Sequence, residues 1–156
     1  MPDPQTSETE RALSHQEIVE ALLKDKTPVA FRASGPSMNP TVRSGDLVHV
    51  RPVTLPDLRR GEVVLFRQAG RLTLHRYVRP LRDGAIGSAG DAALVSLEIV
   101  RKEDICGVAK ALERDGRLIR LDRRRSRWRG MVRFYLRPLR RIAVGSFSRL
   151  IRLAAP

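Results

Sequence analysis

"EVVLFRQAGRLTLHRYV", residues 62–78, is the stretch on which the fold turns. Two apolar-rich runs, "EVVLFR" and "RLTLHRYV", flank the turn "RQAGRL". Such runs, with a glycine at the reversal, read as strand, tight turn, strand. Working outward, "VAFRA", "DLVHV", "GAIGSAG", "DICGVAKAL" and "RLIRLD" are also short, and each is bounded by Gly, Pro or Asp. "RDGAI" and "ERDGRL" read as further hairpin turns. No internal repeat is present. These signals predict a mainly β domain of twisted antiparallel strands over residues 28–122.

Helical signals lie at the two ends. "SHQE" at 14–17 is a capping box, with Ser14 at the N-cap and Glu17 at N3. It predicts about three helical turns, with Leu13, Ile18, Ala21 and Leu22 as the apolar face and Pro28 beyond the end. Residues 1–27 are therefore assigned to a tail and a helix. From about Gly130, "MVRFYLRPLRRIAVGSFSRLIRLAA" is amphipathic, with Val132, Leu136 and Leu139 on one side and Arg133, Arg137 and Arg140 on the other. Pro138 should kink or split it. Residues 123–156 are thus predicted to form arginine-rich amphipathic helices. They either fold back onto the sheet or lie at a lipid interface, arginines toward anionic head groups.

The chain has 156 residues, 42% hydrophobic and 30% charged, which suits one folded domain with a sizeable core. The formal charge of +13 is uneven: from Arg117 onward there are 13 arginines and one acid, Asp122. No apolar run reaches the ~18 residues of a membrane span, and the polar N-terminus lacks a secretion-signal pattern. A cytoplasmic protein is expected, peripheral on the inner membrane face if the tail meets lipid. The single cysteine, Cys106, excludes an intrachain disulfide and reads as a buried apolar residue. No metal or cofactor is expected.

One serine is held unusually. In "FRASGPSMNPTVRSGDLVHV", residues 31–50, Ser37 sits between Gly35-Pro36 and Met38-Asn39-Pro40. A hydroxyl becomes nucleophilic only beside a base, and the base needs an orienting partner. Of three histidines, His15 falls in the first turn of a helix, and His49 falls on a strand opposite Val48 and Val50. His75 lies on the strand-like run of the opening stretch, distant in sequence yet easily adjacent to Ser37 in a β fold.

"SGPSMNPTVRSGDLVHV" resembles the serine box of the type I signal peptidases and their relatives, "RRGEVVLFR" the strand that follows it, "LHRYV" the base box in its histidine form, and "GSAGDAAL" the Gly-Asp box. The four boxes, in the family's order, cover roughly residues 29–110. The resemblance implies that Ser37 attacks a peptide carbonyl and that His75 takes its proton and returns it to the leaving amine. Asp91 becomes the leading candidate to orient His75 or to support the wall beside it. The Ser37 N–H would be an oxyanion donor, and Met38 would fix the loop. Where relatives place a second serine donor, this chain has Gly35, with Ser34 one residue further back. The Asn of the Gly-Asp-Asn box is missing, and Ser96 and Glu98 are nearest to the second acid the pattern expects. The self-cleaving repressor branch of the superfamily is set aside, because the Ala-Gly pairs at 69–70 and 89–90 follow the serine and few residues precede the fold.

The expected function is a serine endopeptidase that trims leader or maturation peptides from a preprotein. The competing expectation is a weakly active or inactive relative whose basic tail binds an anionic membrane or nucleic acid. "LDRRRSRWRG" offers phosphate contacts but a single aromatic, so nucleic acid is the less favoured partner.

Overall fold

In the computed structural model, which describes residues 15–92 and 97–136, the 62–78 stretch is a hairpin of β3 (Val63–Gln68) and β4 (Arg71–Pro80). Ala69 and Gly70 at its tip both have positive φ, 48° and 74°. That pair of left-handed residues matches the right-handed twist of the strands it joins. The other strands are β1 (Val29–Arg32), β2 (Leu47–Arg51), β5 (Ile86–Ala89), β6 (Glu98–Val100), β7 (Ile105–Arg114) and β8 (Arg117–Arg120). All seven runs expected as strands are strands. The unexpected one is β6, three residues long, too short to show alternation.

One antiparallel sheet runs β1-β2-β7-β3-β4-β5-β6. The long β7 pairs with β2 on one edge and with β3 and then β8 on the other. Register breaks at His49/Val50, Leu65/Phe66 and Tyr77/Arg79 curl it. Residues of β3 alternate between two cores. Val63 and Leu65 join Met38, Val42, Val48, Val50 and Leu112, whereas Val64 and Phe66 join Tyr77, Ile86, Val100 and Val108. A strand buried on both faces is the keel of the molecule, and Leu65→Ala there should cost about 2–5 kcal/mol.

Helix α1 covers residues 15–24. Its buried face differs from the expected one. Leu23 is buried and Val19 packs against the first core, while Ile18 and Leu22 are exposed at 55% and 39%. Gln16, Val19, Glu20 and Leu23 follow helical spacing, so polar side chains complete the inward stripe and disguise it. Leu13 and Ser14 lie outside the described residues.

Helix α2 covers residues 124–136, starting six residues before the expected Gly130. It packs onto the domain tightly: a Cβ on Gly130 would come within 2.0 Å of the Arg76 guanidinium carbon, and one on Gly61 within 2.9 Å of the Arg127 side chain. The arginine run "RRRSR" thus opens a helix seated on the sheet. Pro138 and the rest of the expected tail lie outside the described residues.

Candidate functional site

The serine loop, residues 33–46, is closed at its neck by two backbone bonds, Ala33 N–H to the Asp46 carbonyl and Gly45 N–H to the Ala33 carbonyl, both 2.8 Å. Gly35 has φ +86°, which a side chain would strain. Met38, 3% exposed, drops into the first core beside Val42. Its sulfur accepts the Asp91 N–H at 3.4 Å. Asp46 accepts two bonds from Arg114, at 2.8 and 2.6 Å, and Arg114 also donates to the Thr41 carbonyl. That guanidinium, with help from the Arg43 N–H, holds the Asp46 carboxyl below the usual range against the opposing effect of burial. Ser37 and Ser34 remain exposed at the loop's surface. The Gly-Pro and Asn-Pro frame is therefore only part of the serine's rigid seat; a methionine anchor and an arginine clamp complete it.

β4 carries His75, 7% exposed, to the other side of the same place. The contact between them is Gly90. A Cβ there would lie 2.6 Å from the Ser37 carbonyl oxygen, 3.0 Å from His75 Nε2 and 3.2 Å from His75 Cδ2. Next to it, the Ala92 N–H donates to the Ser37 carbonyl at 2.8 Å. The serine main-chain carbonyl and the Nε2 edge of the imidazole thus both crowd the place where Gly90 lacks a methyl group. Phe66 meets the imidazole edge-on, with centroids 5.9 Å apart.

His75 Nδ1 lies 2.8 Å from Glu98 Oε2. A carboxylate only accepts, so Nδ1 carries the proton and, in the neutral ring, Nε2 is left as the acceptor facing the serine loop. Glu98 reaches this position because β6 pairs with β5 in the register Ser88↔Glu98.

Asp91, the sequence's leading candidate for that orienting position, is elsewhere. It takes two bonds from Arg76, at 2.7 and 2.6 Å, and one from the Thr41 hydroxyl. Arg76 and Asp91 are both buried, at 1% and 8% exposure. Arg76 and His75 are successive on β4, so they project to opposite faces, and Asp91 follows Arg76. Asp91 therefore pairs with Arg76 rather than with the imidazole, and it is Glu98 that meets Nδ1. His49 pairs with Glu113 at the surface, 2.7 Å away, and His15 sits on exposed α1. Ser96 lies outside the described residues.

Beside Ser37 is a cleft of about 490 Å³, walled by Phe31 and Ala33 of one edge, Leu72 and Leu74 of β4, and Gln16 and Val19 of α1. Gln16 Oε1 accepts the Leu72 N–H at 3.1 Å. Here β4 has β3 on one side and, among the described residues, no strand on the other.

Among curated proteins, none matches the chain. The family described as Peptidase S24-like matches residues 1–97, well over half the chain, taking in Ser37, His75 and Asp91 and ending one residue before Glu98. The match identifies this broader group of serine peptidases and carries no mark of the histidine-base signal peptidase subtype suggested by the motifs.

Proposed function

We propose, for a chain that belongs to the Peptidase S24-like family, that it is a serine endopeptidase working through Ser37, His75 and Glu98. Ser37 Oγ attacks the scissile carbonyl while His75 Nε2 removes its proton. The oxyanion that forms is met by the Ser37 N–H. The imidazolium, stabilised by Glu98 at Nδ1, returns the proton to the leaving amine. Water activated by the same nitrogen then releases the acyl group. The observation that carries this reading is the commitment of Nδ1 to Glu98, which turns Nε2 toward Gly90 and the serine loop.

The substrate we infer is an extended segment of a leader or maturation peptide. It would lie in the cleft as an added strand on β4, using donors such as the Leu72 N–H that Gln16 now occupies. Apolar walls from Phe31, Leu72 and Leu74 favour small or apolar side chains there.

A fluorophosphonate probe tests the mechanism. Labelling should map to Ser37, vanish in Ser37→Ala and His75→Ala, and fall in Glu98→Gln. Equal labelling of the intact protein and Ser37→Ala would remove the serine from the reaction. Full labelling in Glu98→Gln would leave the glutamate a structural partner only.

A further inference from the structure

The arginines of α2 form a concave feature that the peptidase reading does not use. Arg60, Arg124, Arg125 and Arg127, with Trp128 and Met131, line an open depression of about 490 Å³. Four arginine side chains therefore line one mostly apolar hollow with an indole and a thioether. Arg60 is held in place, donating to the Val78 carbonyl at 2.9 Å and to the Tyr135 hydroxyl at 3.1 Å. Arg127 Nε is buried and has no hydrogen-bond partner among the described residues.

The charges are also on the wrong end of the helix. Arg123, Arg124 and Arg125 stand at the start of α2, where the peptide dipoles already present a partial positive charge. Cations are disfavoured there, and an anion is favoured. Residues 123–136 hold six arginines and no acid. Asp122, the acid that precedes the arginine run, is already engaged by Arg120 at 3.0 and 2.7 Å. Among the described residues, no carboxylate forms an ion pair with Arg60, Arg124, Arg125 or Arg127.

The surroundings of the hollow are apolar and open. Trp128, Tyr135 and Leu136 are 68%, 55% and 47% exposed on the same helix. Residues 128 and 135 are seven apart, so they share a side, with Val132 between them. An indole, a phenol ring and two aliphatic side chains edged by Arg124, Arg125 and Arg129 is the pattern of a helix lying at the boundary between head groups and acyl chains.

We propose that this hollow binds the phosphate of an anionic phospholipid head group, with Trp128 inserted beside it, and so docks the protein on an anionic membrane. A phosphate on a nucleic acid would satisfy the arginines equally. It would leave the exposed Trp128, Tyr135 and Leu136, with half-buried Val132 between them, with two rings to stack and no apolar partner for Leu136, so lipid is favoured. No helix among the described residues is long and apolar enough to cross a membrane, and the docking is peripheral. Because α2 is seated by Gly130 against Arg76 and by Arg133 on the Thr41 hydroxyl, the docking face belongs to the same rigid body as the serine loop. Binding would hold the peptide cleft in one orientation to the lipid surface.

Trp128 is the chain's single tryptophan, so its emission reports on this site directly. The full chain is titrated with vesicles of phosphatidylcholine alone and of phosphatidylcholine with phosphatidylglycerol. The expected result is a blue shift, and quenching by brominated acyl chains, on the anionic vesicles and little change on the neutral ones. Arg124→Gln and Arg125→Gln should each weaken partitioning roughly 5-fold at low salt, since each arginine near the surface contributes about that factor. Ser37→Ala should dock like the parent, which keeps this test separate from the peptidase reading. The proposal is overturned by emission that never shifts, by equal partitioning to both vesicle types, or by docking that ignores both arginine substitutions. It is overturned as well if inorganic phosphate or duplex DNA shifts Trp128 where anionic vesicles do not.

Discussion

Adding one methyl group at Gly90 should disable the site without touching any reacting atom. Gly90→Ala would place a carbon 2.6 Å from the Ser37 carbonyl oxygen and 3.0 Å from His75 Nε2. The first neighbour is backbone and cannot swing aside. Restoring an ordinary contact of about 3.4 Å requires the serine loop and the 89–92 segment to separate by roughly 0.8 Å. Misplacing reacting groups by about 1 Å costs on the order of 100-fold in rate. An opening of this size should therefore lower kcat/KM about 10- to 100-fold, or about 1.4–2.7 kcal/mol of transition-state stabilisation. Overpacking should also reduce stability by about 1–3 kcal/mol. Gly90 does not have the positive φ that makes several other glycines here obligatory, so the clash is the whole effect. The control is Gly116→Ala at the β7–β8 turn. There φ is +70° and the space is open, so stability should drop by about 1 kcal/mol with activity unchanged. The assay is probe-labelling rate, or cleavage of an extended peptide, at a temperature where both variants are folded. A folded Gly90→Ala protein that reacts as fast as the parent would refute the packing of Ser37 and His75 against this residue.

The Arg76–Asp91 pair should behave as a structural clamp. Asp91→Ala would leave a buried guanidinium unpaired and cost about 3–5 kcal/mol, measured by urea unfolding, while the double change Arg76→Met/Asp91→Leu should recover most of that loss; a double variant as unstable as the single would point to another role. Asp46 gives a pH signature. Its carboxyl is held down chiefly by Arg114, so its contribution is complete above the ordinary value of 3.8 and is lost as pH falls through the lower folded value. Asp46→Asn should therefore lower stability at neutral pH and flatten the acid limb of the stability curve, whereas a parallel shift of the whole curve would exclude the linkage. Burial raises the Cys106 thiol from 9.0 to about 11. Iodoacetamide should therefore modify the native protein at pH 8 on the order of 100-fold more slowly than the unfolded chain, and equal rates would show that the thiol is open to solvent.

Different parts of the candidate site were legible to different degrees. Ser37 was readable because its seat is local: glycine at positive φ and flanking prolines leave a mark within a few residues. His75 was readable only through the resemblance of "LHRYV" to a base box, since a strand histidine is by itself more often structural, as His49 with its Glu113 partner is. Glu98 was noted only as one of two residues nearest an expected second acid, and ranked below Asp91, because β6 is only three residues long, with no period to recognise, and because its place beside His75 depends on pairing across β5. The inward face of α1 was misread for a related reason. Ile18 and Leu22 looked like core, while Gln16 earns its inward place by a bond to the Leu72 N–H that no helical pattern encodes.

The sequence by itself determined seven of the eight strands, the hairpin turns, the serine loop and the crowding of arginine toward the C-terminal end. Those are short-range properties, written in alternation, turn chemistry and charge. Only the tertiary structure decided which acid meets the imidazole, because a side chain's partner across a sheet depends on register and on which face each strand presents. One residue's difference in position sends Arg76 to Asp91 and His75 to Glu98. It also decided that the arginines of α2 border one hollow, since that requires Arg60, more than sixty residues earlier in the chain, to arrive at the same surface.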